Sequence, residues 1–276
     1  MMRTLDLSQP QVMGILNFTP NSQTAVGRFQ SVEPALRHAA RMMEEGAAII
    51  DVGGEPTNPG VFPIISLQEE MDRVLPLLER LRQELPVLLS VDTSKPEVMQ
   101  EAIRLGVDMI NDVRALRLPG ALAAVSQSQV AVCLMHMRYP EGRPAVPSTS
   151  VDSIETEVFH FLQDRVQACL AAGIEASRIV IDPGIGHGNF GKDLAENIRL
   201  IRQLSTFKAL NLPILVGVSR KTFIGEILNL PVEDRLYGSL AATVVAIQQG
   251  ASIVRTHDVK ATMEILKVIH ELSDCE

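Results

Sequence analysis

Residues 178–192 read RIVIDPGIGHGNFGK. Ile179, Val180 and Ile181 form an apolar, β-branched run, which suits a parallel strand buried on both faces. The run meets Asp182, and Pro183 and Gly184 follow at once. Proline cannot extend a central strand, and glycine reaches backbone angles closed to other residues. The strand therefore ends at the carboxylate and points it out of the sheet. Gly184, Gly186, Gly188 and Gly191 then form a mobile loop that carries His187, Phe190 and Lys192. A charge at the tip of a buried strand is a costly arrangement for a purely structural aspartate. The plainer reading is that Asp182 caps the next helix. The long loop before the helical pattern resumes at Asp193 weakens it.

The same device recurs along the chain. Strands are expected at residues 11–17, 47–52, 87–91, 108–110, 130–135, 179–181, 213–218 and 252–254. Helices are expected at 32–45, 66–84, 119–127, 151–172, 193–206, 237–249 and 260–272, and one starts after Ser94 with Pro96 in its first turn. Pro76 falls inside the 66–84 pattern, where it can kink or divide the helix. Gly46, Gly106, Gly173 and Gly250 read as helix stops before the next strand. Eight strands alternating with helices imply a parallel sheet, and eight is the number that closes a (β/α)8 TIM barrel. The spacing fits a single α/β domain over residues 1–276, with an open doubly wound sheet as the competing architecture. Barrel active sites lie at the carboxyl ends of the strands. Those ends carry Asn17, Asp92, Asn111, His136, Asp182, Lys221, Arg255 and His257.

The chain has 276 residues, is 46% hydrophobic and has a formal net charge of −8. That charge argues against nucleic-acid and anionic-membrane binding, and the lack of Trp removes the usual base-stacking surface. Arg220, Lys221, Arg255 and His257 nevertheless gather at two strand ends, a basic mouth suited to a small anionic substrate unless acids such as Glu226 or Asp258 pair with them. The opening MMRTLDLSQPQ holds no apolar signal core, and no run reaches membrane-spanning length. Cys133, Cys169 and Cys275 form no metal or redox pair motif, so a cytoplasmic protein with free thiols is expected, with Cys133 in packing. The polar, proline-rich residues 138–150 read as one long loop.

Eight ordered signatures at the eight strand ends resemble the dihydropteroate synthase family. They are MGILNFTPNS at 13–22, IIDVGGEPTNPG at 49–60, SVDTSKPEV at 90–98, INDV at 110–113, LMHM at 134–137, IDPGIG at 181–186, GVSRKTFIG at 217–225 and RTHDV at 255–259. The resemblance covers nearly the whole chain. It implies a pterin-binding TIM barrel that joins 6-hydroxymethyl-7,8-dihydropterin diphosphate to 4-aminobenzoate and releases pyrophosphate with Mg2+ present. It also implies a homodimer and a sulfonamide target. In that reading Asp182 accepts paired N–H bonds from the pterin, Lys221 donates to its carbonyl oxygen and Asn111 serves the remaining edge. Asp92 meets the reduced ring and stabilises positive charge there, and Met135 walls the pocket. Arg255 and His257 hold the diphosphate, with Asn17 at the magnesium-linked end. Thr222 and the backbone N–H groups after Lys221 receive the aminobenzoate carboxylate. Phe190 packs on its ring, and Thr57, Gly217 and Ser219 complete the substrate contacts.

The loops depart from the family pattern. Family members carry TPDSFSDGG where residues 19–27 read TPNSQTAVG, so Asn21 replaces a carboxylate and Gln23 an aromatic. They carry GGESTRPG where this chain has Pro56 and Asn58, with Thr57 kept. DPGFGFGK is lengthened by His187-Gly188-Asn189, so that Phe190 or His187 takes the aromatic position, with Phe190 the better alignment. A complete pterin pocket with weakened aminobenzoate use is expected. The alternative is a pterin-binding paralogue without synthase activity.

Overall fold

The computed structural model describes residues 5–18, 28–29, 31–55, 65–138 and 153–273. Among the described residues nine strands form one sheet: β1 (Gln11–Phe18), β2 (Arg28–Phe29), β3 (Ile49–Gly53), β4 (Leu88–Asp92), β5 (Met109–Asp112), β6 (Ala131–Met135), β7 (Ile179–Asp182), β8 (Leu215–Gly217) and β9 (Ile253–Thr256). Their order is β7-β6-β5-β4-β3-β1-β9-β8, all parallel, with β2 a short addition beside the end of β1. A bridge between Ile181 and Ile214 brings the two ends of this path together. The eight long-path strands therefore form a nearly closed barrel rather than an open doubly wound sheet.

The helices are α1 (Val32–Glu44), α2 (Leu67–Glu84), α3 (Pro96–Arg104), α4 (Ala121–Ser126), α5 (Ile154–Ala171), α6 (Leu194–Arg202), α7 (Thr222–Leu228), α8 (Leu236–Gln248) and α9 (Val259–Ser273). Each amphipathic helix buries its apolar stripe on the sheet. In α1 the stripe is Ala35, Leu36, Ala39 and Met42, at helical spacing. Helix α2 runs unbroken through Pro76, capped by Ser66, whose side chain accepts from Glu69 N at 3.1 Å. The helix after Ser94 has Lys95 as its cap residue, because the Ser94 hydroxyl is spent on Asp112. Helix α6 ends at Arg202, and the expected continuation becomes a 3-10 segment, Leu204–Leu210, around the poorer helix formers Ser205 and Thr206. The four expected glycine stops all hold positive φ, from 85° at Gly106 and Gly173 to 106° at Gly46 and Gly250.

Strand side chains alternate with a period of two. One set points outward into the large core beneath the helices, including Leu16, Ile50, Leu89 and Leu134. The other set points into the barrel. Its lower layer is a separate apolar cluster of Met13, Ile49, Met109, Cys133, Val180, Leu215 and Ile253. Cys133 is thus a packing residue, as its sequence context suggests. Further along the strands the inward positions become Ile15 and Asp51, with Ser90 level with Asp51 and Asp92 a step beyond it, then Asn111, Met135, Asp182, Gly217 and Arg255.

Asp112, the next residue after Asn111, faces the other way and is structural. Its buried carboxylate accepts from Ser94 Oγ, from Arg114 N at 2.8 Å and from Leu116 N at 2.7 Å. These bonds hold a turn in which Ala115 and Leu116 both have positive φ, 53° and 55°. Asp112→Ala should destabilise the fold by about 3 kcal/mol, since it orphans the buried Leu116 N–H, the part-buried Arg114 N–H and the buried Ser94 hydroxyl. The urea unfolding midpoint checks this; an unchanged midpoint would show that the turn satisfies itself by other contacts.

Candidate active site

At the carboxyl end of the barrel, Arg255 joins two acids. Its Nε donates to Asp51 Oδ2 at 2.6 Å and its Nη2 to Asp92 Oδ2 at 3.0 Å. Asn111 Nδ2 donates to the same Asp51 oxygen at 3.0 Å. Asp51 is fully buried, and its Oδ1 has no hydrogen-bond partner among the described residues. Asn17 stands beside this cluster: its Oδ1 and the Asp92 side chain flank the open face of Gly53. Burial pushes the Asp92 carboxyl up to about 7, with Arg255 pulling it down and Asp51 pushing it further up.

A second group faces the first across the mouth. Asp182 is buried, and its Oδ1 accepts from Gly184 N at 2.7 Å. It does not cap the following helix. That task falls to Asp193, which forms a reciprocal capping box with Glu196. Burial raises the Asp182 pKa, and the positive charge of Lys221 partly offsets the rise. Lys221 Nζ donates to the Ile185 carbonyl and stands 4.7 Å from the centre of the Phe190 ring. Burial lowers its pKa to about 8 against the pull of Asp182. Gly217 separates the groups: a Cβ there would lie 3.8 Å from both Arg255 Cβ and Lys221 Nζ. Met135, buried, pairs in register with Asp182 and walls the same space.

Ser219 and His257 form a third set, with Ser219 Oγ 3.0 Å from His257 Nδ1 and accepting from His257 N at 3.1 Å. Thr222 opens α7, directly after Lys221. The expected basic mouth is smaller than its sequence count. Arg220 makes a two-pronged ion pair with Asp258 and donates to the carbonyls of Val232 and Glu233, so it braces the loops. Arg255 is offset by Asp51 and Asp92.

The structure therefore brings Asn17, Asp92, Asn111, Met135, Asp182, Phe190, Gly217, Ser219, Lys221, Thr222, Arg255 and His257 to one end of one barrel. Thr57, Asn21, Gln23, Pro56 and Asn58 lie outside the described residues. Of the two aromatic candidates in the 184–192 loop, Phe190 carries the ring beside Lys221, while His187 turns to Glu226, Nδ1 to Oε1 3.5 Å. This loop is also anchored more firmly than its glycines suggest. Ile185, Gly186 and Lys192 are buried, and Asn197 Oδ1 accepts from Gly186 N at 2.6 Å. Sequence reasoning passed over two residues. Asp51 lies on the inward phase set by Ile49 and Gly53, a signal available from the alternation alone. Lys192 lies in a glycine-rich loop, where nothing local announces burial.

A pterin-binding enzyme profile matches residues 13–257 of this chain. The dihydropteroate synthase of Escherichia coli K12 is 46% identical over 268 residues, covering 96% of this chain and 93% of that protein. The chain belongs to the dihydropteroate synthase family. A dihydropteroate synthase from Coxiella burnetii, solved in complex with pteroic acid, is 46% identical with a TM-score of 0.89. It is covered to 96%, against 99% of this chain. The Xanthomonas albilineans dihydropteroate synthase with 4-aminobenzoic acid is 44% identical, with the same coverage and a TM-score of 0.89. Among the described residues, no three His, Cys, Asp or Glu side chains gather as a protein-only metal cage. No described helix is long and apolar enough to cross a membrane.

Burial depresses the Lys192 pKa to about 7, with Asp182 opposing the fall. An unfolded lysine titrates near 10.4, so between these values the unfolded chain binds the extra proton. Stability therefore rises with pH through that window, and the cost of the buried charge is greatest below about 7. A Lys192→Met variant should gain stability relative to the unaltered protein at pH 6.5 and lose that gain by pH 10. Urea unfolding of both proteins at the two pH values checks it; a pH-independent difference would place the lysine in a solvated site.

Proposed function

We propose that this chain condenses 6-hydroxymethyl-7,8-dihydropterin diphosphate with 4-aminobenzoate, giving 7,8-dihydropteroate and pyrophosphate. The observation that carries the reading is 46% identity to a dihydropteroate synthase over 96% of the chain, with Asp182, Lys221, Asn111 and Asp92 converging on one barrel mouth. Asp182 accepts two parallel N–H bonds from the pterin edge, a pairing strengthened by its charge. Lys221 leaves the Ile185 carbonyl to donate to the ring oxygen. Asn111 serves the remaining edge. Asp92, and with it Asp51, faces the reduced ring as positive charge develops at the methylene when the C–O bond to pyrophosphate breaks. Arg255 and His257 hold the departing diphosphate. The arylamine is neutral near pH 7 and nucleophilic, so its attack needs no dedicated base. Its carboxylate meets Thr222 and the first N–H groups of α7, with Phe190 on its ring.

Mg2+ keeps several waters and binds phosphates with few protein oxygens. Asn17, one amide oxygen beside the Asp51–Asp92 pair, fits a diphosphate-borne ion of that kind. When bound, the ion would neutralise charge on the leaving group. The chain is further proposed to act in the cytoplasm as a homodimer. Its buried Cys133 and Cys169 are free thiols, which suits a reducing compartment. Ile227, Tyr237, Val268 and Leu272 on α7–α9 expose large apolar side chains, which supports an interface between copies. A Yersinia pestis dihydropteroate synthase, 44% identical, is solved with a sulfonamide drug complex, and the arylamine subsite here is proposed to take the same class of ligand.

The direct test is pyrophosphate release by purified protein given both substrates and Mg2+. Release in step with dihydropteroate is expected, and none would leave the paralogue reading. Asp182→Asn should weaken pterin diphosphate binding by about 3 kcal/mol, more than 100-fold, while the protein stays folded. Calorimetry giving near-native affinity would overturn the Asp182 assignment. For the altered first loop, Asn21→Asp with Gln23→Phe should lower KM for 4-aminobenzoate, since burying an aromatic contributes about 1.5–3 kcal/mol. Steady-state kinetics at saturating pterin diphosphate decide this, and an unchanged KM would mean the loop closes by other contacts.

A further inference from the structure

Lys192 is 2% exposed, and both of its hydrogen-bond acceptors among the described residues are backbone carbonyls: His136 O at 3.3 Å and Phe190 O at 3.2 Å. A buried lysine is costly, and this one is not consumed by the pterin, diphosphate or arylamine contacts described above. The two carbonyls belong to different parts of the fold. His136 follows β6 directly, and its N–H donates to Asp182 O at 3.0 Å. Phe190 lies far out on the loop that leaves β7. The lysine nitrogen thus joins a rigid strand end to the backbone of the residue whose ring stands beside Lys221.

The surroundings are shaped for this join. A Cβ on Gly184 would lie 1.9 Å from His136 O and 3.3 Å from Lys192 Nζ. A Cβ on Gly186 would lie 2.1 Å from the Phe190 ring. Both glycines are therefore required for the loop to fold back over β6. An outer tie runs parallel: Arg138 N donates to Phe190 O at 3.4 Å and Arg138 Nη1 to Gly191 O at 2.8 Å. Arg138 is itself held by Glu157 and Glu196. The inner tie through Lys192 is the one that faces the site.

We propose that Lys192 is a positioning residue for the arylamine subsite, fixing the Phe190 ring by tying the Phe190 carbonyl to that of His136. This rests on the synthase reading given above. Lys192 touches no substrate; it acts through Phe190. Its loss should therefore raise KM for 4-aminobenzoate and leave pterin diphosphate affinity and kcat nearly unchanged.

The test is a double-mutant cycle of Lys192→Met and Phe190→Ala, read as KM for 4-aminobenzoate at saturating pterin diphosphate. Lys192→Met alone should raise KM about tenfold, with calorimetric pterin diphosphate affinity within about threefold of the unaltered protein. The double variant should match Phe190→Ala alone, because a tie has nothing left to position once the ring is gone. Multiplicative effects in the double variant would overturn the proposal, as would a loss of pterin affinity that equals the loss in KM. If Lys192→Met does not fold, Lys192→Gln takes its place in the cycle, since its shorter arm cannot reach both carbonyls, and the same outcomes decide. An unaltered protein that releases no pyrophosphate overturns the synthase reading and this proposal together; an active one with additive variants overturns this proposal alone.

Discussion

A closed parallel sheet sends every second residue of every strand into one narrow interior, and that constraint governs the rest of this molecule. The lower layer is apolar and packs into a plug of Met13, Ile49, Met109, Cys133, Val180, Leu215 and Ile253. The layer above it carries the charges of Asp51, Asp92, Asp182 and Arg255 among uncharged neighbours. Acids and bases that are distant in sequence meet there because they share a phase. Arg255 reaches Asp51, 204 residues away, and Asp92, 163 residues away. An unpaired charge at that depth would be prohibitively expensive, so the ring holds itself together by mutual pairing.

The pairing leaves work for a ligand. Asp51 Oδ1 has no partner among the described residues, burial holds the carboxyls of Asp92 and Asp182 above the usual range, and Lys221 is held below its own. Each of these groups lacks the solvation its charge would have in water. A heterocycle with N–H donors on one edge and an acceptor on another can restore it. Affinity and the stabilisation of developing charge then come from the same preorganised groups, without reorganisation during the reaction.

The loop after β7 shows how much backbone geometry a site demands. Gly184 and Gly186 let the chain turn back until the Lys192 nitrogen meets the carbonyls of His136 and Phe190. The polar groups beneath it, Arg138, Glu157, Glu196 and Asn197, satisfy its backbone and hold it to α5 and α6. A glycine-rich stretch is here an anchored wall, because its freedom of φ is used to fit one conformation.

The strand and helix order, the barrel, the strand-end residues and the family were all legible in the sequence. Hydrophobic periodicity and glycine or proline breaks are local signals, and eight motifs at eight strand ends are specific together. Asp182, Asp92, Asn111 and Lys221 could be named because a polar residue ending an apolar run is conspicuous. The tertiary structure alone decided what each charge meets. It assigned Arg220 to Asp258, gave Arg255 two acid partners, made Asp112 a turn anchor and buried Lys192 under the Phe190 loop. Those outcomes depend on how the strands and loops come together in space, and a pairing such as that of Arg255 with Asp51, 204 residues away, leaves no mark in the spacing of either partner.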